Sequence, residues 1–340
     1  MTFPALTHPD AGAWRADAAV LAAWADAELV NRRDVWGAYI PPARRTAPDR
    51  KSWTAPPTAA RGTVTLTRGR LASHFAGAAV LGVHALSRHD DDGRQVCRWL
   101  AFDLDAHDDA TAGAAAAANR AAATRLVRVL ADAGAVPLLE LSCDRGGVHV
   151  WCRFDVPADS RAVHAFALGV QRAAGVTGET FPKQPATARD GFGNWLRLPG
   201  PHHSRPWWSR IVTDTGDELA GADAARAVLA WRATPAAIIP PAPVPTPAPV
   251  VVRPWAPVHS GGDPLARLRA YVARIPRGLR HGDRRSDTAY RLAARALADL
   301  TEGETVALVG AWNRELAEPM SDDDVRRIVG NAAKYRRGVA

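Results

Sequence analysis

Two aspartates separated by one residue, Asp103 and Asp105, end an otherwise apolar run from Trp99 to Asp105, WLAFDLD. The alternation reads as a β-strand with Leu100, Phe102 and Leu104 on one face and both acids on the other, their side-chain bases about 7 Å apart. Two like charges on one face of an apolar strand repel each other and are costly unless a cation joins them. Carboxylate oxygens are hard ligands that suit Mg²⁺ or Mn²⁺. Two such ions roughly 3.5–4 Å apart serve in-line displacement at phosphorus, one activating the attacking oxygen and one steadying the leaving group. A D-x-D alone also caps helices and ends strands, so this chemistry needs partners from elsewhere in the chain.

The neighbouring elements can supply them. Residues from about Thr111 to Ala133 read as an alanine-rich helix stopped by Gly134. His107, Asp108 and Asp109 are read as its cap. Pro137 to Cys143 is a second strand, with Leu139 and Leu141 on one face and Glu140 on the other. Gly146-Gly147 makes a tight connection that also permits close backbone approach by a phosphate. Val148 to Phe154 is a third strand, with Val148, Val150, Cys152 and Phe154 facing one way. Asp159 or Ser160 caps a helix carrying Val163, Phe166 and Val170, ended by Gly175, and Glu179 to Lys183 forms a fourth strand.

The order β-α-β-β-α-β predicts an α+β fold with a ferredoxin- or RRM-like core. Both helices then cover one face of the sheet, the other face is open, and the first strand lies between the third and fourth. Asp103 and Asp105, then His149, Trp151 and Arg153, then Glu179 and Lys183 would share that open surface. Three carboxylates would hold the ions while cationic and histidine donors took a triphosphate. Glu140 is a rival for the third acid.

The 340 residues are 47% apolar and 23% charged, which predicts a globular chain with room for two domains. A formal net charge of +8, nearly all from arginine, favours a nucleotide or nucleic-acid partner, although a GC-rich genome gives the same bias. No apolar run is long enough to cross a bilayer and the N-terminus lacks the pattern of a signal peptide, so a cytoplasmic protein without a membrane partner is expected. Cys97, Cys143 and Cys152 form no CxxC pair and are read as reduced thiols, not zinc ligands. No GxxxxGK[ST] loop occurs, so no helicase ATPase is expected within the chain.

Prolines at nearly alternate positions from Pro235 to Pro257 mark a semi-rigid linker. This divides the chain into a catalytic domain with an N-terminal α/β extension (1–232), a linker (233–262) and a small all-α domain (263–340). Within residues 1 to 60 only a helix around Asp17 to Val30 is legible. In the last domain Leu265, Leu268, Val272 and Ile275 form one apolar stripe, and Val306, Val309, Trp312 and Leu316 another. Ser321 with Asp324 resembles a capping box before Val325, Ile328, Val329, Ala332 and Tyr335. Arg277, Arg280, His281, Arg284 and Arg285 are a candidate contact to template phosphates, or simply a solvated helix end.

The run CRWLAFDLDA from Cys97 resembles motif I (hhhDhD) of the archaeo-eukaryotic primase superfamily, and RGGVHVW from Arg145 resembles its motif II. GETFPKQ followed by GNWLRLPGPHH, from Gly178 to His203, is similar to the signature of primase domains in TOTE conflict systems. LTRGRLASHFAGAAVLGVHAL from Leu66 is similar to their lead-in. The resemblance spans about Thr63 to His203. It implies that Asp103, Asp105 and Glu179 are catalytic metal ligands for two Mg²⁺ or Mn²⁺ ions, and that His149, Lys183 and Arg197 contact the nucleotide. Motif II is usually S-x-H, whereas here Gly147 stands in the serine position, so its amide would replace the hydroxyl. The text WN…EPMSDDDVRRIVGNAAKY is similar to small helical domains that follow primase cores in plasmid and phage replication proteins.

The expected function is therefore a template-dependent nucleotidyltransferase, a primase-polymerase that makes or extends primers on single-stranded DNA from NTPs or dNTPs. The context would be plasmid, phage or mobile-element replication or defence, with a separate replicative helicase as a possible partner. The alternatives are a metal-dependent nuclease, or a DNA-binding replication initiator without catalysis.

Overall fold

In the computed structural model, residues 3–41, 52–55, 65–105, 112–188, 191–241, 268, 270–275 and 285–337 are described. The chain divides into two compact units, Met1–Thr246 and Pro247–Ala340, whose boundary falls within the proline-rich stretch. The first unit begins with α1 (Ala11–Ala16), α2 (Ala18–Glu28), β1 (Trp36–Tyr39), β2 (Ser52–Ala55), α3 (Arg68–Phe75) and β3 (Leu81–His84). It continues with β4 (Val96–Leu104), α4 (Ala112–Asp132), β5 (Leu138–Leu141), β6 (Val148–Asp159), α5 (Ser160–Ala173) and β7 (Glu179–Phe181). Three short strands follow, β8 (Trp195–Arg197), β9 (Arg210–Val212) and β10 (Glu218–Leu219), and then α6 (Gly221–Ala230).

The fold is α+β, with two sheets. One runs β10-β9-β5-β6-β4-β7 and the other β2-β1-β3-β8, and every neighbouring pair is antiparallel. Strand β4 lies between β6 and β7. Its residues Leu100, Phe102 and Leu104 pack with Val150 and Cys152 of β6, Leu126 and Leu130 of α4 and Val163 of α5. The helices end as glycine dictates: Gly134 and Gly175 both take positive φ just beyond α4 and α5. Asp159 caps α5 by accepting the amides of Arg161 (2.9 Å) and Ala162 (3.0 Å).

The opposite face of the sheet is not open. Trp99 and Ala101 of β4, Trp151 of β6 and Leu138 of β5 are buried in a second core with Trp14, Leu21, Leu29, Phe75, Leu196 and Trp208. The Trp99 and Trp151 rings lie 4.9 Å apart. Each large side chain enclosed in this way stabilises the fold by roughly 1.5–3 kcal/mol. The physical reason is that a strand carrying tryptophan on its second face needs a cover, and the N-terminal helices with the second sheet supply it. Arg153 is engaged under the same cover, pairing with Glu28 at 2.6 Å and donating from Nε to the Trp231 carbonyl at 3.1 Å. Strand β7 is also shorter than expected, ending before Pro182, which has no N–H to continue the ladder.

The β5–β6 turn is clamped onto α4. The Asn119 side-chain amide donates to the carbonyls of Leu104 (3.1 Å) and Gly146 (3.0 Å), joining the end of β4 to the turn. Gly146 has φ +88°, and a Cβ there would lie 2.3 Å from the Ala116 backbone.

The second unit contains α7 (Arg285–Ala296), α8 (Glu302–Arg314) and α9 (Asp322–Arg337). Leu268, Ile275, Leu292, Val309, Trp312, Leu316, Val325, Ile328 and Val329 are buried together, so the Trp312 stripe is core; Leu265 lies outside the described residues. Thr301 and Glu304 form a capping box before α8, and before α9 the Ser321 hydroxyl accepts the Asp324 amide at 3.1 Å. No helix among the described residues is long and apolar enough to cross a membrane.

Replacing Gly146 by alanine is expected to destabilise the first unit by about 2 kcal/mol or more, since it combines positive-φ strain with overpacking against backbone. Urea unfolding monitored by tryptophan fluorescence measures this; an unchanged midpoint would contradict the clamped turn.

Candidate active site

Strand register places four polar residues on one rung of the sheet. Across β7, β4, β6 and β5 the paired positions are Glu179–Asp103, Asp103–His149 and His149–Glu140. Directly opposed residues of an antiparallel sheet have their side-chain bases about 5 Å apart on the same face. The rung lies where the second core ends, and there a cleft of about 310 Å³ opens. Asp103, Asp105, His149, Glu179, Lys183 and Arg197 all line it. The structure thus gathers these six side chains from both sheets, whereas Trp151 and Arg153, expected on the same surface, are taken up in the second core and by Glu28.

Asp103 is the strained member. Its Oδ1 is buried without a hydrogen bond, and the nearest cationic group is His149 Nε2 at 3.5 Å. Desolvation pushes its pKa up to about 6; His149 opposes the rise, while Asp105 and Glu179 add to it. Glu179 is exposed and paired with Lys183, whose Nζ lies 2.6 Å from its carboxylate and 5.1 Å from the Phe181 ring centre.

Glu140, the rival third acid, is taken up otherwise. It is fully buried, and its oxygens accept from His149 Nδ1 (2.9 Å), Trp151 Nε1 (2.7 Å) and the Ser209 hydroxyl (2.5 Å). Burial would raise its pKa, but His149, Arg197 and Ser209 hold it down to about 2. Burial alone would favour a neutral His149; the charges of Glu140 and Asp103 outweigh that and raise its pKa above the ordinary value.

Arg197 is 5% exposed, and its guanidinium is largely engaged. It donates to the carbonyls of Ser142 (2.8 Å), Leu198 (3.3 Å) and Pro201 (3.3 Å) and lies 3.7 Å from Glu140. It therefore braces the cleft wall and adds positive potential, with little freedom to grip a ligand bidentately.

Gly147 is explained by crowding. A Cβ there would lie 2.8 Å from Cys143 Sγ and 2.9 Å from Ser142 Oγ. The Gly147 amide itself donates to Cys143 Sγ at 3.2 Å.

Sequence reasoning missed one wall of the cleft, formed by Tyr39, Trp195, His202 and His203. The Tyr39 and His203 rings stack at 4.0 Å, and His202 stacks on His203 at 4.4 Å. Desolvation, with Arg197, His203 and Arg205 nearby, strongly lowers the His202 pKa, so its ring is neutral. The paired histidines were visible in GPHH, but nothing marked Tyr39. The other basic run cannot be placed in full: Arg277, Arg280, His281 and Arg284 lie outside the described residues, as do His107, Asp108 and Asp109. Arg285 donates to the Glu318 carbonyl within its own helical unit.

The donors fit a hard divalent cation in part. Asp103 and Asp105 offer carboxylate oxygens to the cleft, and the unsatisfied Asp103 Oδ1 is the kind of atom a cation would satisfy. Among the described residues, however, no three acid, histidine or cysteine side chains are gathered as a ready metal-binding group. Glu179 is turned to Lys183 instead.

A carboxyl whose pKa is raised in the fold binds its proton more tightly folded than unfolded. Its contribution favours the fold below its ordinary value of 3.8 and is lost as pH rises through about 6. In chelator-treated protein, Asp103→Asn is therefore expected to raise stability by roughly 1–3 kcal/mol at pH 8 and to change it little at pH 4. Denaturant titrations at the two pH values check this, and equal effects at both would exclude a strained Asp103.

No curated protein matches the chain. Among solved structures, it is similar to the polymerase domain of Mycobacterium tuberculosis Ligase D in complex with DNA, at 18% identity over 68% of this chain and 94% of that one, with a TM-score of 0.38. It is also similar to the archaeo-eukaryotic primase domain of the cyanophage S-2L primase-polymerase (16% identity, 59% and 90% covered, TM-score 0.31). A third similar structure is primase RepB′ (12% identity, 93% and 94% covered, TM-score 0.33). The family described as the archaeo-eukaryotic primase domain of the TOTE conflict system matches residues 31–210. That stretch holds the whole rung and the cleft, and on this match the chain belongs to that archaeo-eukaryotic primase family.

Proposed function

We propose that the protein is a template-dependent nucleotidyltransferase, a primase-polymerase that builds or extends primers on single-stranded DNA. The observation that carries this reading is the acid pair Asp103 and Asp105 at the mouth of a cleft shared with His149 and Lys183. We read β4-α4-β5-β6-α5-β7 as a ferredoxin-like core, residues 1–232 as the catalytic domain, 233–262 as a linker and 263–340 as a helical domain serving initiation.

Asp103 and Asp105 would hold Mg²⁺ or Mn²⁺, and Glu179 would join them once Lys183 turns to a triphosphate. When bound, the ions supply Lewis-acid stabilisation of charge at the reacting phosphate. His149 in its doubly protonated form, through Nε2–H, and Lys183 Nζ would donate to phosphate oxygens in the cleft. Gly147 occupies the serine position, but its amide is given to Cys143 Sγ and would have to be released to reach a phosphate. Nucleotide and template strand both arrive as polyanions, favoured by the net charge of +8.

Labelled-nucleotide incorporation on a homopolymer template with Mg²⁺ or Mn²⁺ tests this, with NTPs and dNTPs run separately. Asp103→Ala/Asp105→Ala is expected to lose at least about 100-fold in synthesis while still binding single-stranded DNA. Equal synthesis by both proteins would reject the site, and template cleavage without nucleotides would point to a nuclease.

A further inference from the structure

The residue that the motifs leave without a role is Glu140, and its surroundings are unusual for an acid on a strand. It is fully buried at the inner end of the rung, next to His149 in register, and every hydrogen bond it accepts comes from outside its own strand. His149 lies on β6, as does Trp151, while Ser209 precedes β9, and the Arg197 guanidinium of β8 approaches at 3.7 Å. An ionised carboxylate can only accept, so the His149 nitrogen facing it must carry a proton. That nitrogen is Nδ1, at 2.9 Å. The Trp151 indole donates to the same oxygen, Oε2, which keeps the carboxylate from swinging away from the imidazole.

We propose that Glu140 is the positioning residue of the cleft, fixing the His149 ring and its Nδ1 proton so that Nε2 meets the nucleotide phosphates. The inference rests on the reading of His149 as a phosphate contact. Three features support it beyond hydrogen bonding alone. The far nitrogen, Nε2, points along the rung toward Asp103 at 3.5 Å, and so toward the cleft rather than the core. Glu140 is sealed from the cleft that His149 lines, so the carboxylate acts on a ligand only through the imidazole. The Ser209 hydroxyl donates to Oε1 at 2.5 Å, on the side away from His149, so the carboxylate is braced at both oxygens. Loss of such an outer partner of a metal-ligating histidine typically costs about 10–100-fold in affinity or activity, and a loss on that scale is expected for a phosphate-binding one.

The test combines Glu140→Gln, His149→Ala and the double variant, each checked for folding by thermal unfolding. The first readout is ¹⁵N-resolved NMR of the histidine rings in the full chain without nucleotide. In wild type the His149 Nδ1 proton is expected as a resolved, slowly exchanging signal, and in Glu140→Gln that signal is expected to be lost through faster exchange. The second is KM for the nucleotide in the incorporation assay. Glu140→Gln is expected to raise KM about tenfold with a smaller change in kcat, and to add nothing to KM in the His149→Ala background.

Additive effects of the two substitutions on KM would overturn the proposal, showing that Glu140 serves stability alone. So would an unchanged Nδ1 signal in Glu140→Gln. If His149→Ala leaves KM as in wild type, the phosphate-contact reading fails instead, and the NMR signal still reports whether Glu140 holds the ring. Should Glu140→Gln not fold, Ser209→Ala gives the same two readouts by loosening the brace at Oε1.

Discussion

Like charges forced onto one rung of a sheet are the constraint from which the rest of the site follows. Asp103 has an acid on one neighbouring strand and a histidine on the other, and the histidine is backed by a second acid. The sequence of charges across four strands alternates only where His149 intervenes. Without it, three carboxylates would face one another at separations where repulsion in a poorly hydrated setting outweighs anything a strand pairing returns. Glu140 resolves its share by pairing with buried donors, Glu179 by pairing with Lys183, and Asp103 is left short. The uneven distribution places the unmet demand for positive charge at the cleft.

Both cores serve to hold that rung still. The β4 strand presents Leu100, Phe102 and Leu104 to the helices and Trp99 with Ala101 to the N-terminal elements, so neither face can slide without emptying a packed layer. Near its end Asp103, and just beyond it Asp105, turn out of these layers to line the cleft. A strand anchored on two sides delivers its end with little freedom, which is what a group acting at a fixed point on a phosphate requires.

How far the sequence disclosed this depends on which contrasts are local. The alternation of Leu100, Phe102 and Leu104 with the acids, and the glycines at 134 and 175, carry their meaning within a few residues and were legible. Of the N-terminal elements only α2 is legible, from about Asp17 to Val30; its packing is not, because it buries Leu21, Ala22 and Ala25 with little amphipathic contrast. The tryptophans at 99 and 151 should have argued against an open face, as a large ring on a strand needs an enclosing layer. Glu140 and Arg197 were beyond reach for another reason. An acid facing a metal and an acid sealed under a histidine look alike in one dimension, and the arginine is occupied by carbonyls of the Leu198–Pro201 loop that no side-chain pattern displays.

The crowding around Gly147 also bears on how this version of the second motif relates to the serine version. A side chain at 147 would collide with Cys143 and Ser142, so serine cannot simply be restored there while those two residues keep their places. The position is contingent: for a hydroxyl to enter at 147, the Cys143 and Ser142 side chains must turn away or be smaller, and the Gly147 amide loses its present sulfur partner if Cys143 moves. Compared letter by letter the two motifs differ at one site, whereas in space a change at 147 is coupled to the side-chain rotamers of Ser142 and Cys143.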